Sequence, residues 1–197
     1  MKNDKMDPAT QAPTIDIEFL YIDLTVCTRC IGTDQNLQAA LSEVSQILES
    51  AGVEVSLRKT QVESVEQAAA LGFFISPTIR VNGKDIAFEL RESRCSSCET
   101  CACNGAVNCR VWVFQGREYT EAPKAMIVDA ILREVYGGTP PQALQARPRE
   151  VPENLRRFFA GKDKKAAKQK SQCCPPMEQA ECCEPSEKAV CCGEPGS

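Results

Sequence analysis

The chain has 197 residues, enough for one domain with a core of its own plus tails. Its 23 basic and 27 acidic residues leave a net charge of -4, which gives no reason to expect a nucleic acid or another polyanion as partner. Thirteen cysteines and no histidine exclude every mechanism built on an imidazole, and they leave sulfur as the donor for any metal, with carboxylate or backbone help.

Residues 1–14 are polar and lack the apolar stretch of a signal peptide, and no apolar run approaches the length of a membrane span. The expectation is a disordered N-terminal tail, no membrane partner and a cytoplasmic location. Thiols are kept reduced there, so cysteines are more often catalytic or metal-binding than a structural disulfide framework.

The folded-domain signals occupy residues 15–137. Ile15, Ile17 and Phe19 alternate and run into Leu20, Tyr21 and Ile22, as a buried strand does. Cys27 and Cys30 follow, then Thr33 as a helix N-cap with Asp34 in the first turn. Leu37, Ala40, Leu41, Val44, Ile47, Leu48 and Ala51 keep helical spacing up to Gly52. Val53, Val55 and Leu57 alternate as a second strand, and a short helix around Val65, Ala68, Ala69 and Leu71 stops at Gly72.

Thr78 to Val81 read as a strand opened by Pro77, turned by Asn82-Gly83 into a return strand through Ile86, Phe88 and Leu90. A cysteine-rich insert, 94–109, either follows that edge strand or splits the third strand from the fourth. Val111 to Phe114 and Arg117 to Thr120 flank Gln115-Gly116 as a further hairpin, and Pro123 opens a helix with Ile127, Val128, Ile131 and Val135 on its apolar face. This order predicts an α/β fold, a mixed sheet flanked by helices. Residues 138–170 read as a linker holding one short helix over 152–160, whose Leu155, Phe158 and Phe159 can dock on the domain. Five lysines against one aspartate in 162–170, without interleaved aromatics, read as a solvated spacer. Residues 171–197, with four prolines and almost no large apolar side chain, read as a disordered tail.

The cysteines form three groups. Cys27-Thr28-Arg29-Cys30 ends a strand and enters a helix, where unpaired N–H groups and Arg29 favour a thiolate. Such a pair can exchange with disulfides, one sulfur attacking and the other resolving; half of a zinc site is the rival reading. The second group, Cys95, Cys98, Cys101, Cys103 and Cys109, lies in small polar residues that have no core of their own, so four thiolates around a structural zinc would hold the loop. An iron-sulfur cluster ranks behind zinc, because the spacing fits but the usual following proline is absent, and disulfides, free thiols or capture of a metalloid remain as alternatives. The third group repeats every nine residues as Cys173-Cys174, Cys182-Cys183 and Cys191-Cys192. Adjacent cysteines are poor staples but offer two soft ligands at short range to As(III), Cu(I) or Hg(II). A tail without a dedicated role is the plain alternative.

Cys27-x-x-Cys30, Ser76-Pro77-Thr78 and Asn82-Gly83, in this order of elements, resemble the thioredoxin and glutaredoxin pattern over residues 15–136. The resemblance implies a thioredoxin-like sheet, Cys27 as nucleophile, Cys30 as resolving thiol and Pro77 as the cis-proline beside them. The insert departs from the pattern, and so does the lack of tryptophan or proline around Cys27. More narrowly, Cys-Thr-Arg-Cys, Pro-Thr-Ile-Arg-Val-Asn-Gly, the cysteine cluster and Glu153 to Phe159 resemble a bacterial cysteine-rich family, domain of unknown function 2703. That resemblance implies a fold and no activity. Two readings stand nearly level: a dithiol-disulfide exchanger with a thiol redox partner, and a protein that binds thiophilic metals or metalloids without turnover. A scaffold that displays the insert comes third.

Overall fold

A computed structural model describes residues 13–95, 108–137 and 150–171, with the backbone alone for 165–171. The elements follow as β1 (Thr14–Tyr21), α1 (Thr28–Ser50), β2 (Glu54–Gln61), α2 (Val65–Leu71), β3 (Thr78–Val81), β4 (Lys84–Asp85), β5 (Arg91–Arg94), β6 (Asn108–Phe114), β7 (Arg117–Tyr119), α3 (Lys124–Tyr136) and α4 (Glu153–Ser171). The first four strands form one mixed sheet in the order β2-β1-β3-β4, with β1 parallel to β2 and antiparallel to β3. The last three form an antiparallel sheet, β5-β6-β7. The expected α/β class, a mixed sheet flanked by helices, is the one observed.

Strand β1 sits between two cores because its side chains alternate. Ile15, Ile17 and Phe19 enter a cluster with Leu37, Ala40, Val44 and Leu48 of α1, Trp112 of β6 and Met126, Ile127, Ala130 and Ile131 of α3. Leu20, followed by Ile22 just beyond the strand, enters the other with Ala68 of α2 and Leu155, Phe158 and Phe159 of α4. Cys27, Cys30, Cys95 and Cys109 all belong to this second core. The docking expected of Leu155, Phe158 and Phe159 is present.

Both predicted hairpins form. Asn82 and Gly83 have φ of 49° and 75°, Gln115 and Gly116 of 50° and 74°, the pairs of left-handed residues that a tight two-residue turn needs. Four expectations need correction. Helix α1 starts five residues before Thr33: Cys27 is its N-cap, and the first-turn bond from Ile31 N–H to the Cys27 carbonyl is already made. Thr33 is buried inside the helix, where its hydroxyl accepts from Ala122 N–H, and Asp34 pairs with Lys59 at 2.6 Å. The return strand β4 is two residues long, because Asp85 turns its carboxylate to Ala87 N–H and to the buried Arg110; Phe88 and Leu90 lie exposed. The insert follows neither edge of the first sheet: it joins β5 to β6, which pair with each other. Finally, the helix expected over 152–160 continues to Ser171, since the lysines, alanines and glutamine beyond Ala160 are good helix formers.

Candidate thiol site

The approach to Cys27 is fixed by Asp23, whose Oδ1 accepts from the backbone N–H groups of Thr25 and Val26 and from the Thr25 hydroxyl. This turn delivers Cys27 to the N-cap of α1 and Cys30 to its first turn. Both are fully buried. Across from them the Ser76–Pro77 peptide is cis, and the Ser76 hydroxyl lies 3.5 Å from the Cys30 sulfur. The cis bond therefore falls at Pro77, next to the Ser76 contact with Cys30.

Strand β6 is bonded to the same loop: Arg110 N–H donates to the Ser76 carbonyl at 2.7 Å. That bond brings Cys109 to the CxxC. Register then brings Cys95, because Arg94 pairs with Asn108 and Ser93 with Cys109. The Sγ atoms of Cys27, Cys95 and Cys109 lie within 4.8 Å of one another, all buried. The first and second cysteine groups, read apart in the sequence, therefore meet in one place.

Arg29 holds this arrangement. Its guanidinium donates to the Ser93 hydroxyl at 2.9 Å, to the Arg94 carbonyl at 2.7 Å and, at 3.4 Å, to the Cys109 carbonyl. The residue between the two CxxC cysteines so clamps both strands that flank the insert. Its planar fork suits this, as one side chain reaches several acceptors at once. A second arginine secures β6 from the other face. Arg110, fully buried, meets Asp85 with two bonds of 3.0 and 2.7 Å, donates to the Thr78 hydroxyl and lies over the Trp112 ring.

Helix α4 closes the site. Leu155, Phe158 and Phe159 pack into the cysteine core, and the Asn154 amide reaches the Asn108 carbonyl at 3.4 Å, one residue before Cys109. The side chains packed around the cysteines are mostly apolar. The Cys30 thiol is held far above its ordinary range, first by its hydrogen bond with Cys27, then by burial and by the repulsion a Cys27 thiolate would exert. Burial and the neighbouring sulfur thus favour the protonated form of Cys30.

Cys98, Cys101 and Cys103 of the insert, and Cys173, Cys174, Cys182, Cys183, Cys191 and Cys192, lie outside the described residues. Sequence reasoning missed the Arg29 clamp, the Ser76 contact, the Arg110–Asp85 pair and the union of Cys27 with Cys95 and Cys109. One signal was available: Arg94-Cys95 and Cys109-Arg110 are the outermost cysteines of the insert, where a hairpin places its two arms side by side.

Fold and site together define a mixed α/β protein with a buried cluster of cysteine thiols. Residues 15–131 match the family model described as "Domain of unknown function (DUF2703)", and the chain belongs to that family. No curated protein and no solved structure matches the chain. Among the described residues, no helix is long and apolar enough to cross a membrane.

Proposed function

We propose that the protein binds a thiophilic metal or metalloid ion through Cys27, Cys95 and Cys109. The observation that carries this reading is the triangle of three buried sulfurs, contributed by three separate parts of the chain. Thiolates around a zinc-sized ion stand about 3.8 Å apart, given a metal–sulfur bond of about 2.3 Å. The triangle needs to contract by about an ångström or less, a side-chain adjustment. Soft ligands without histidine or carboxylate select soft ions. The three cysteine pairs of the tail add a second donor set, which on this reading collects the ion and passes it to the chamber.

Dithiol-disulfide exchange at Cys27 and Cys30 is the second reading. Their contact at the start of α1, with cis-Pro77 opposite, favours it. Their complete burial counts against exchange with a folded protein substrate, which must reach the sulfur to attack it.

Cadmium titration of the full chain, read by sulfur-to-metal charge-transfer absorbance, tests the proposal. The double substitution Cys95→Ser/Cys109→Ser is expected to remove one tightly bound equivalent. An unchanged number of equivalents sinks it. For the second reading, a Cys27–Cys30 disulfide must form reversibly in a glutathione series.

A further inference from the structure

Building on the thiol-site reading above, we infer that the chamber's ligand is a trivalent, three-coordinate metalloid hydroxide of the arsenite class rather than a divalent cation. The sulfur count comes first. Among the described residues, three thiols lie mutually within reach, and the only group of candidate ligands consists of those three cysteines. The nearby Cys30 thiol stands outside the triangle, engaged by Ser76 and Cys27. Three sulfurs complete the coordination of trivalent arsenic, whose lone pair fills the remaining direction. A divalent ion in a closed structural site takes four ligands.

Charge points the same way. Three thiolates around a divalent ion carry a net charge of -1, and four carry -2, in a chamber lined by Leu20, Ile22, Leu155, Phe158 and Phe159. Burying an uncompensated charge among such side chains is strongly unfavourable. Arg29 gives its hydrogen bonds to backbone carbonyls and to the Ser93 hydroxyl, none of them to a cysteine sulfur. A trivalent ion with three thiolates is neutral. The reaction is balanced without any redox partner: three As–O bonds of arsenous acid break, three As–S bonds form, each thiol proton leaves on a hydroxide as water, and arsenic stays trivalent. A neutral molecule enters, and a neutral complex remains.

The test uses a full-length chain in which Cys98, Cys101, Cys103 and the six tail cysteines are replaced by serine, leaving Cys27, Cys30, Cys95 and Cys109. Sodium arsenite is added without other thiols, and arsenic X-ray absorption reads the coordination shell. One arsenic per chain with three As–S bonds is expected. Adding Cys30→Ser should leave that shell intact, while adding Cys95→Ser or Cys109→Ser should abolish it. Because the latter two could unfold the chamber, the Cys30→Ser result stands as the independent check. A shell of two sulfurs and one oxygen that survives Cys95→Ser overturns the inference, as it assigns arsenic to the CxxC alone. Cadmium bound where arsenite is not also overturns it but leaves the thiol-site reading standing. If neither binds, both fall.

Discussion

Arg29 sits in the middle of the CxxC, and its neighbours explain why an arginine is there. Sequence reasoning treats it as a positive charge that favours a thiolate; in the structure its N–H groups tie α1 to both arms of the insert. Arg29→Ala should destabilise the protein by about 1.5–3 kcal/mol, the range for hydrogen bonds that involve a charged group. It should also speed the reaction of Cys95 with a disulfide reagent. Arg29→Lys keeps the charge but not the fork, so it should restore little of either; full rescue by lysine contradicts the clamp. Cys30 yields a pH expectation. Its pKa in the folded state is raised above the unfolded value of about 8.5. The folded state therefore holds the proton more tightly, and this stabilisation is present below about pH 8.5 and is lost as pH rises further. Urea unfolding of the ion-free protein should show stability falling on the alkaline side, and Cys30→Ser should flatten that fall. These residue roles were not legible beforehand, because a periodic pattern reveals which face is buried and says nothing of what a polar side chain will meet there.

At the scale of elements, the sequence was readable wherever the local rule and the tertiary outcome agree. The apolar stripe of α1, the two turns with glycine second and the stop at Gly72 were all visible, because each is decided within a few residues. The start of α1 was not. Gly32 and Thr33 look like a helix boundary, yet the space beside Gly32 is taken by the Glu121 carboxylate, so the glycine serves a close approach instead. Likewise the short β4 depends on Arg110, 25 residues away from Asp85. Asp85→Ala should cost about 3–5 kcal/mol in denaturant unfolding, since it leaves Arg110 buried without its counter-charge. A loss under 1 kcal/mol would show that the arginine finds water. Helix α4 makes a separate prediction. Leu155→Ala removes a fully buried side chain from the cysteine core and should cost about 2–5 kcal/mol. It should also make Cys27 and Cys109 react faster with alkylating reagents; unchanged rates would mean the helix does not close the site.

For the molecule as a whole, the candidate site was half legible. Spacing along the chain singles out each sulfur, but it groups Cys27 in one site and Cys95 and Cys109 in another. Their meeting depends on the β5–β6 register and on the Arg110–Ser76 bond, neither of which leaves a short-range pattern. A ligand that joins such distant parts stabilises the whole fold, by an amount that grows with the logarithm of its concentration above Kd. A thiophilic ion should therefore raise the unfolding midpoint of the Cys30→Ser protein and not that of Cys109→Ser. The same arrangement gives Cys27 two sets of neighbours and one sulfur with which to satisfy them. A bond to Cys30 removes a corner of the triangle, and an ion in the triangle occupies the atom that the bond needs. Loading and oxidation are thus alternative fates of one atom. On the proposed reading, an ion in the triangle would protect the pair from oxidation, and oxidation of the pair would release the ion. In a glutathione series, the loaded protein should keep Cys27 and Cys30 reduced at ratios that oxidise them when the ion is absent.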